Sequence, residues 1–282
     1  MLDLKGPFGH MGPTIHLIGL PTDHNSSFER GTALAPAAIR EALWSDRGNM
    51  ATESGLEIGP DIDLVDCGDL PLTNANNLAD DTAIATAVGN ASESGATPMF
   101  LGGDHAVSYP VVAALSTLHG PVNILHFDAH PDLYDDFEGN PRSHASPFAR
   151  IMENGHATRL VQVGIRTLNR HCREQAMRFG VEIIPISGFS PAQIPVLPGP
   201  LYISVDLDGV DPSEAPGVSH PEPGGLRLRE VLDCIAKQTA PIFGADIVEL
   251  NPKRDLGGVT AILAAKLVRE ISAAVHRNNI QI

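Results

Sequence analysis

The chain has 282 residues, 43% of them hydrophobic and 19% charged, with a formal net charge of −15 at pH 7. That length can bury a large core in one domain or two. The acidity, with no basic stripe, argues against nucleic acid as a partner, and no apolar run reaches the roughly 18 residues of a membrane span. An acidic surface favours a small cationic ligand, or serves solubility alone. Cys67, Cys172 and Cys234 are odd in number and far apart. They fit reduced thiols and a cytoplasmic location, not a disulfide frame. Residues 1–12 lack the apolar core of a signal peptide and read as a flexible N-terminus or a cloning scar. The rest, 13–282, reads as one folded domain.

Short apolar runs alternate with helix-like segments along the chain. A strand at 14–20 leads to a helix at 36–43, with Pro36 suited to its first turn. Strand 63–65, helix 77–94, strand 98–101, helix 109–118, strand 122–127 and helix 146–153 follow. Strand 160–163, helix 169–179, strands 182–184 and 201–205, helix 227–237, strand 242–248 and helix 260–276 complete the series. The Pro-rich stretch 190–200 reads as a loop. The β-branched content suits strands covered on both faces. Such alternation predicts an α/β fold: a single three-layer domain with an open, mostly parallel sheet and helices on both sides.

Three stretches place aspartate and histidine directly after strand candidates: GGDH at 102–105, DAHPD at 128–132 and DLD at 206–208. Ligands in open α/β sheets bind at the carboxyl ends of strands, so these segments are expected to share one rim. His105, Asp128, His130, Asp132, Asp206 and Asp208 then supply four carboxylates and two imidazoles, enough for two divalent cations with shared ligands. Oxygen and nitrogen donors without thiolate suit Mn²⁺ better than a structural zinc site. Two metals with an activated water point to a hydrolase. Each motif has a plainer explanation taken singly. An aspartate after a strand caps the next helix, and a lone histidine is usually a hydrogen-bonded core residue. Their coincidence favours the metal centre.

The run SVDLDGVDPSEAPGVSHPEPGG (204–225), with GGDHAVSYP, HFDAHPDLYD, SHASPFARIM and GADIVELNP in that family's order, resembles the ureohydrolases, which include arginases, agmatinases and related guanidino-compound hydrolases. The likeness is nearest to plant-type arginases, through NSSFERG, FEGN and APGVSHPEPGGL. It implies an arginase-like fold and a homo-oligomer, trimer or hexamer. It also implies two Mn²⁺ per subunit. One would be held by His105, Asp128, Asp132 and Asp206, the other by His130, Asp128, Asp206 and Asp208, so that Asp128 and Asp206 bridge. Glu249 would grip the guanidinium, because a carboxylate and a planar guanidinium pair through parallel hydrogen bonds; a rim glutamate capping a turn is the plainer alternative. His144 would carry protons, its ordinary pKa near 6.5 suiting that task. Asp104 would orient its neighbouring ligand.

The resemblance is weaker at the substrate end. Asn169 stands where animal-type arginases place an acidic residue that meets the substrate's amino group. Asn140 could bind a carboxylate or amide and Arg142 could attract a carboxylate, whereas Asp135, Asp136 and Glu138 could attract a distal amine or simply face solvent. The leading expectation is a manganese amidinohydrolase that releases urea from agmatine or arginine. A guanidino-acid hydrolase, a formimidoylglutamase-like C–N hydrolase and a catalytically silent metal-binding scaffold are the alternatives.

Overall fold

The structure, a computed structural model, describes residues 12–73 and 78–280. Most of the N-terminal stretch (1–11), the start of the second expected helix at Asn77, and 281–282 lie outside the described residues. The strands are β1 (Ile15–Gly19), β2 (Leu64–Asp69), β3 (Thr97–Leu101), β4 (Val122–Phe127), β5 (Ala157–Ile165), β6 (Glu182–Pro185), β7 (Leu201–Asp206) and β8 (Ile242–Val248). The helices are α1 (Ala35–Leu43), α2 (Leu78–Glu93), α3 (Ser108–His119), α4 (Pro147–Glu153), α5 (Arg170–Phe179), α6 (Leu228–Ala236) and α7 (Val259–Asn279). Among the described residues no helix is long and apolar enough to cross a membrane.

All eight strands are parallel, in the order β2-β1-β3-β8-β7-β4-β5-β6. One core lies under α1, α6 and α7. It includes Ile39, Val231, Ile235, Leu267 and Ile271 packed on Leu17, Leu125 and Ile203. The other lies under α2, α3, α4 and α5, with Val88, Val111, Leu115 and Phe148 against Phe100, Ile124 and Tyr202. In α7 the buried Leu263, Leu267, Ile271 and Val275 recur every four residues, which keeps one stripe on the sheet. Each such side chain contributes about 1.5–3 kcal/mol when fully buried.

Burial on both faces holds for β3, β4 and β7, whose residues are all buried. It fails for the edge strand β2, which is longer than expected and mostly exposed through its Asp66-Cys67-Gly68-Asp69 end. An edge strand needs no second apolar face, and charge there discourages pairing with another chain. Arg40 of α1 holds this end by donating to Asp66, Asp69 and the Gly68 carbonyl.

The central four strands, β3, β8, β7 and β4, carry the chemistry. Leu101 pairs with Ile247, Ile247 with Val205, and Val205 with Phe127, so these residues stand level across the sheet. Asp206 and Asp128 are the next residues beyond Val205 and Phe127, and Glu249 is two beyond Ile247. Four chain segments that are distant in sequence therefore open onto one rim.

Candidate metal centre and active site

His105 is reached from β3 through Gly102 and Gly103. Neither glycine has a positive φ. They are required for close packing. A Cβ on Gly103 would lie 1.7 Å from the Thr22 carbonyl oxygen, and one on Gly102 would lie 2.4 Å from Val248 Cγ1. Asp104 caps the turn that carries His105. It accepts from Asn25 N (2.8 Å) and Ala106 N (3.2 Å), tying the 25–27 loop to the turn that carries His105.

The six expected ligand side chains do converge. His105 Nδ1 lies 3.3 Å from Asp128 Oδ2, 3.1 Å from Asp132 Oδ2 and 3.1 Å from Asp206 Oδ2. His130 Nδ1 lies 3.4 Å from Asp128 Oδ1 and 3.1 Å from Asp208 Oδ2. Asp128 alone belongs to both groups, one oxygen turned to each. Asp206, expected to bridge as well, groups only with His105, and its Oδ1 accepts from Asp208 N at 2.8 Å.

The protonation of His105 decides what the cluster is for. Ser204 Oγ donates to Asp246 Oδ1 (2.6 Å), so at 3.0 Å it accepts from His105 Nε2. In the neutral ring that leaves a lone pair on Nδ1, an atom that is buried and makes no hydrogen bond. Three carboxylate oxygens crowd this lone pair at 3.1–3.3 Å. Donors bound at right angles to one ion at about 2.1–2.2 Å are spaced by about 3 Å, so the arrangement fits a cation. The charge balance agrees. Burial first, then Asp208 and Asp128, push the Asp206 carboxyl well above its ordinary range. Burial pushes Asp208 up to about 7 despite the pull of His130. Burying this many carboxylates together is costly without positive charge among them.

Sequence reasoning missed His126, which precedes Asp128 by two residues on β4 and so points the same way. Its Nε2 lies 2.9 Å from Asp128 Oδ2, and Gln162 donates to its Nδ1 at 3.0 Å. The alternation in His126-Phe127-Asp128 was the available signal. Burial lowers the pKa of His126, which suits a neutral ring donating to Asp128.

Beyond the cluster lies a cavity of about 230 Å³ lined by His130, Asp132, His144, Asp206, Asp208 and Glu249 at its base and by Ser27, Tyr134, Phe137, Thr167, Cys172, His220 and Glu222 around its wall. A larger groove, about 400 Å³, lies between α1 and the start of α7 and holds none of these groups. Glu249 sits at φ 65° and Asp132 at φ 49°, left-handed conformations that cost a non-glycine residue energy. One oxygen of Glu249, Oε1, accepts both from His105 N (2.8 Å) and from His144 Nδ1 (2.9 Å). Its other oxygen is left without a hydrogen bond among the described residues. Burial opposes the charge on this pair, but each partner outweighs it for the other. Glu249 is held below the ordinary carboxylate range, and His144 is raised to about 9.

Asn140 and Asn169 are used by the protein itself, and neither lines the cavity. Asn140 donates to Asn25 Oδ1 (3.0 Å) and accepts from Arg142 N (2.9 Å). Asn169 caps α5 by accepting from Cys172 N (2.9 Å) and donates to the Tyr134 hydroxyl (2.5 Å). Both are spent on loop geometry, the usual work of asparagine at turns and caps. Arg142 likewise pairs with Asp81 through both terminal nitrogens, at 2.5 and 2.6 Å. Glu222 does line the cavity. Arg166 fixes its carbonyl with bonds of 2.9 and 2.6 Å while also holding the Asp208 carbonyl at 2.7 Å.

Comparison with known proteins agrees with this geometry. A family model described as the arginase family matches residues 13–273. The mitochondrial arginase 1 of Arabidopsis thaliana is 49% identical over 277 residues, 93% of this chain and 81% of that protein. The solved structure of the arginase from Medicago truncatula superposes with a TM-score of 0.89 at 46% identity, covering 94% of this chain and 88% of the other. An agmatinase of Bacillus anthracis is 32% identical, covering 90% of this chain and 89% of its own. The cytoplasmic expectation is overturned here. Four plant relatives at 45–49% identity are named mitochondrial or chloroplastic/mitochondrial. Free cysteines do not by themselves locate a protein in the cytoplasm. The chain belongs to the arginase family, hydrolases that act on the non-peptide C–N bonds of linear amidines.

Proposed function

We propose that residues 13–282 form a manganese-dependent catalytic domain that hydrolyses L-arginine to urea and L-ornithine. The carrying observation is His105 Nδ1 set among three carboxylate oxygens at 3.1–3.3 Å, two of whose residues, Asp132 and Asp206, line a cavity that also holds Glu249 and His144. His105, Asp128, Asp132 and Asp206 would hold one Mn²⁺, and His130, Asp128 and Asp208 a second, with Asp206 as a further shared ligand. Bound there, the ions would supply Lewis acidity, which lowers the pKa of water from about 15.7 toward 7. Oxygen and imidazole donors without thiolate favour Mn²⁺. Arginine is favoured over agmatine because the relatives at 45–49% identity are named arginases, against 32% for the agmatinase.

The protein's own groups do the rest. The free oxygen of Glu249 accepts hydrogen bonds from the guanidinium and sets its carbon over the cluster. His144 gives a proton to the amine as it departs. Around the wall, Tyr134 and Phe137 meet in an edge-to-face contact with centroids 5.0 Å apart and enclose the aliphatic chain. Agmatine is a second reading with its own support. Glu222 lines the cavity with a carboxylate, and among the described residues no lysine or arginine lines it to receive a substrate carboxylate. A urea assay with arginine, agmatine, guanidinobutyrate and guanidinopropionate separates these readings. Failure to release urea from any of them with Mn²⁺ bound would defeat both. A homo-oligomer, trimer or hexamer, belongs to the same proposal and is measured by light scattering.

The buried network behind His105 yields a further expectation. Asp246 accepts from Ser108 (2.5 Å), Tyr202 (2.6 Å) and Ser204 (2.6 Å) and so keeps the His105 proton on Nε2. Outer partners of this kind are worth about 10–100-fold in metal affinity. Ser204→Ala should weaken Mn²⁺ binding by about that factor in calorimetry while the metal-free protein keeps its fold by circular dichroism. Unchanged affinity would remove Ser204 from the role.

A further inference from the structure

The two nitrogens of the His144 ring are held from different parts of the chain. Nδ1 faces Glu249 Oε1 at 2.9 Å. Nε2 lies 2.9 Å from Ser27 Oγ, and the Ser27 backbone N–H donates to it at 3.2 Å. His144 is buried, whereas Ser27 is exposed and shares the same cavity wall. The loop that carries Ser27 is anchored: Asn25 N donates to Asp104, and His144 N donates to the Asn25 carbonyl at 3.2 Å.

A backbone N–H only donates, so in the neutral ring Nε2 accepts from Ser27 N and the proton sits on Nδ1, toward Glu249. An imidazolium carries a proton on both nitrogens, and its Nε2–H then needs an acceptor. Of the two groups bonded to Nε2, only the Ser27 hydroxyl can supply one. A hydroxyl donates to imidazole and accepts from imidazolium, so it follows the ring through both states. The other titratable groups that face the ring are Glu249, His220, whose centroid is 5.1 Å away, and Asp132 and Asp104 further off. None of them is bonded to Nε2.

We propose that Ser27 is a positioning residue that holds the His144 ring in both protonation states and passes protons between Nε2 and water at the cavity mouth. After the Nε2 proton of His144 has passed to the departing amine, the Ser27 hydroxyl proton moves to Nε2 in concert with delivery of another to Ser27 Oγ. A buffer acid or water in the mouth supplies that proton. The net change is one proton from solvent to imidazole, with the conjugate base left in solvent and Ser27 unaltered. The inference rests on His144 as the proton donor of the proposed reaction.

The test is steady-state urea release by the full-length Mn²⁺-loaded enzyme across pH and buffer concentration. Ser27→Ala should lower kcat about tenfold, at the small end of general acid–base effects, with KM within about twofold and metal content unchanged. Added imidazole should restore part of the rate by replacing the relay. Ser27→Thr, which keeps the hydroxyl, should stay near the wild type. A Ser27→Ala enzyme with the wild-type kcat, pH profile and indifference to buffer would overturn the proposal. His144→Asn separates the two levels. Full activity in that variant removes the reading beneath, whereas an impaired His144→Asn beside an unaffected Ser27→Ala removes only the relay.

Discussion

Asp128→Ala is expected to lose both metals and with them urea release. Asp128 is the only side chain in both ligand groups: Oδ2 lies 3.3 Å from His105 Nδ1 and Oδ1 lies 3.4 Å from His130 Nδ1. Asp206, proposed as a further shared ligand, groups with His105 but not with His130, so it cannot hold the second ion without Asp128. Replacing a group that merely orients a ligand costs about 10–100-fold, so loss of a shared ligand should exceed about a hundredfold in kcat/KM. Metal analysis after dialysis should find well under one Mn²⁺ per subunit. Wild-type protein should melt at higher temperature as Mn²⁺ is added, since a ligand that binds only the folded state stabilises it, and the variant should not respond. A variant with full metal content and normal turnover would refute the centre as drawn.

Glu249→Gln is expected to keep the metals and lose the substrate's guanidinium. The amide oxygen can still accept from His105 N and His144 Nδ1, but the amide nitrogen then faces the cavity as a donor opposite another donor. A hydrogen bond to a charged group is worth about 1.5–3 kcal/mol, so kcat/KM should fall roughly 10- to 150-fold. The pH profile should move as well. Glu249 holds His144 at about 9, above its ordinary value. A proton donor with that pKa stays charged through neutrality and is lost only as pH rises through about 9. Without the carboxylate, the alkaline limb should shift to lower pH. The stabilisation this pair gives the fold follows the same sign: fully present below the histidine's unfolded pKa of about 6.5 and lost as pH rises through about 9. Unchanged kinetic constants and an unmoved limb would count against the role of Glu249.

The strand ends that carry the ligands were legible because each follows a run of apolar, β-branched residues, and such runs are forced into the buried middle of a parallel sheet. Ile242–Val248 and Val122–Phe127 form strands over the expected residues. The exposed β2 was read too short because its polar second half carries no burial pattern. His126 went unread because its only mark is a two-residue spacing from Asp128. Asn140 and Asn169 pose the opposite difficulty. Their residue type suits substrate binding and capping equally, and only the hydrogen bonds to Arg142 N and Cys172 N show which they do.

The sequence by itself determined the layer architecture, the family and the set of ionisable groups at the rim, because burial periodicity and residue chemistry are local properties of the chain. Tertiary structure decided how those groups are coupled. It placed β3, β8, β7 and β4 side by side, turned Glu249 inward through a left-handed backbone, and set Asp246 behind His105 and Ser27 against His144. Those couplings join residues up to 144 positions apart. Hydrogen bonds and charge interactions act over only a few ångströms, so partnership at that separation is fixed by how the strands pack and by nothing in the local order of residues.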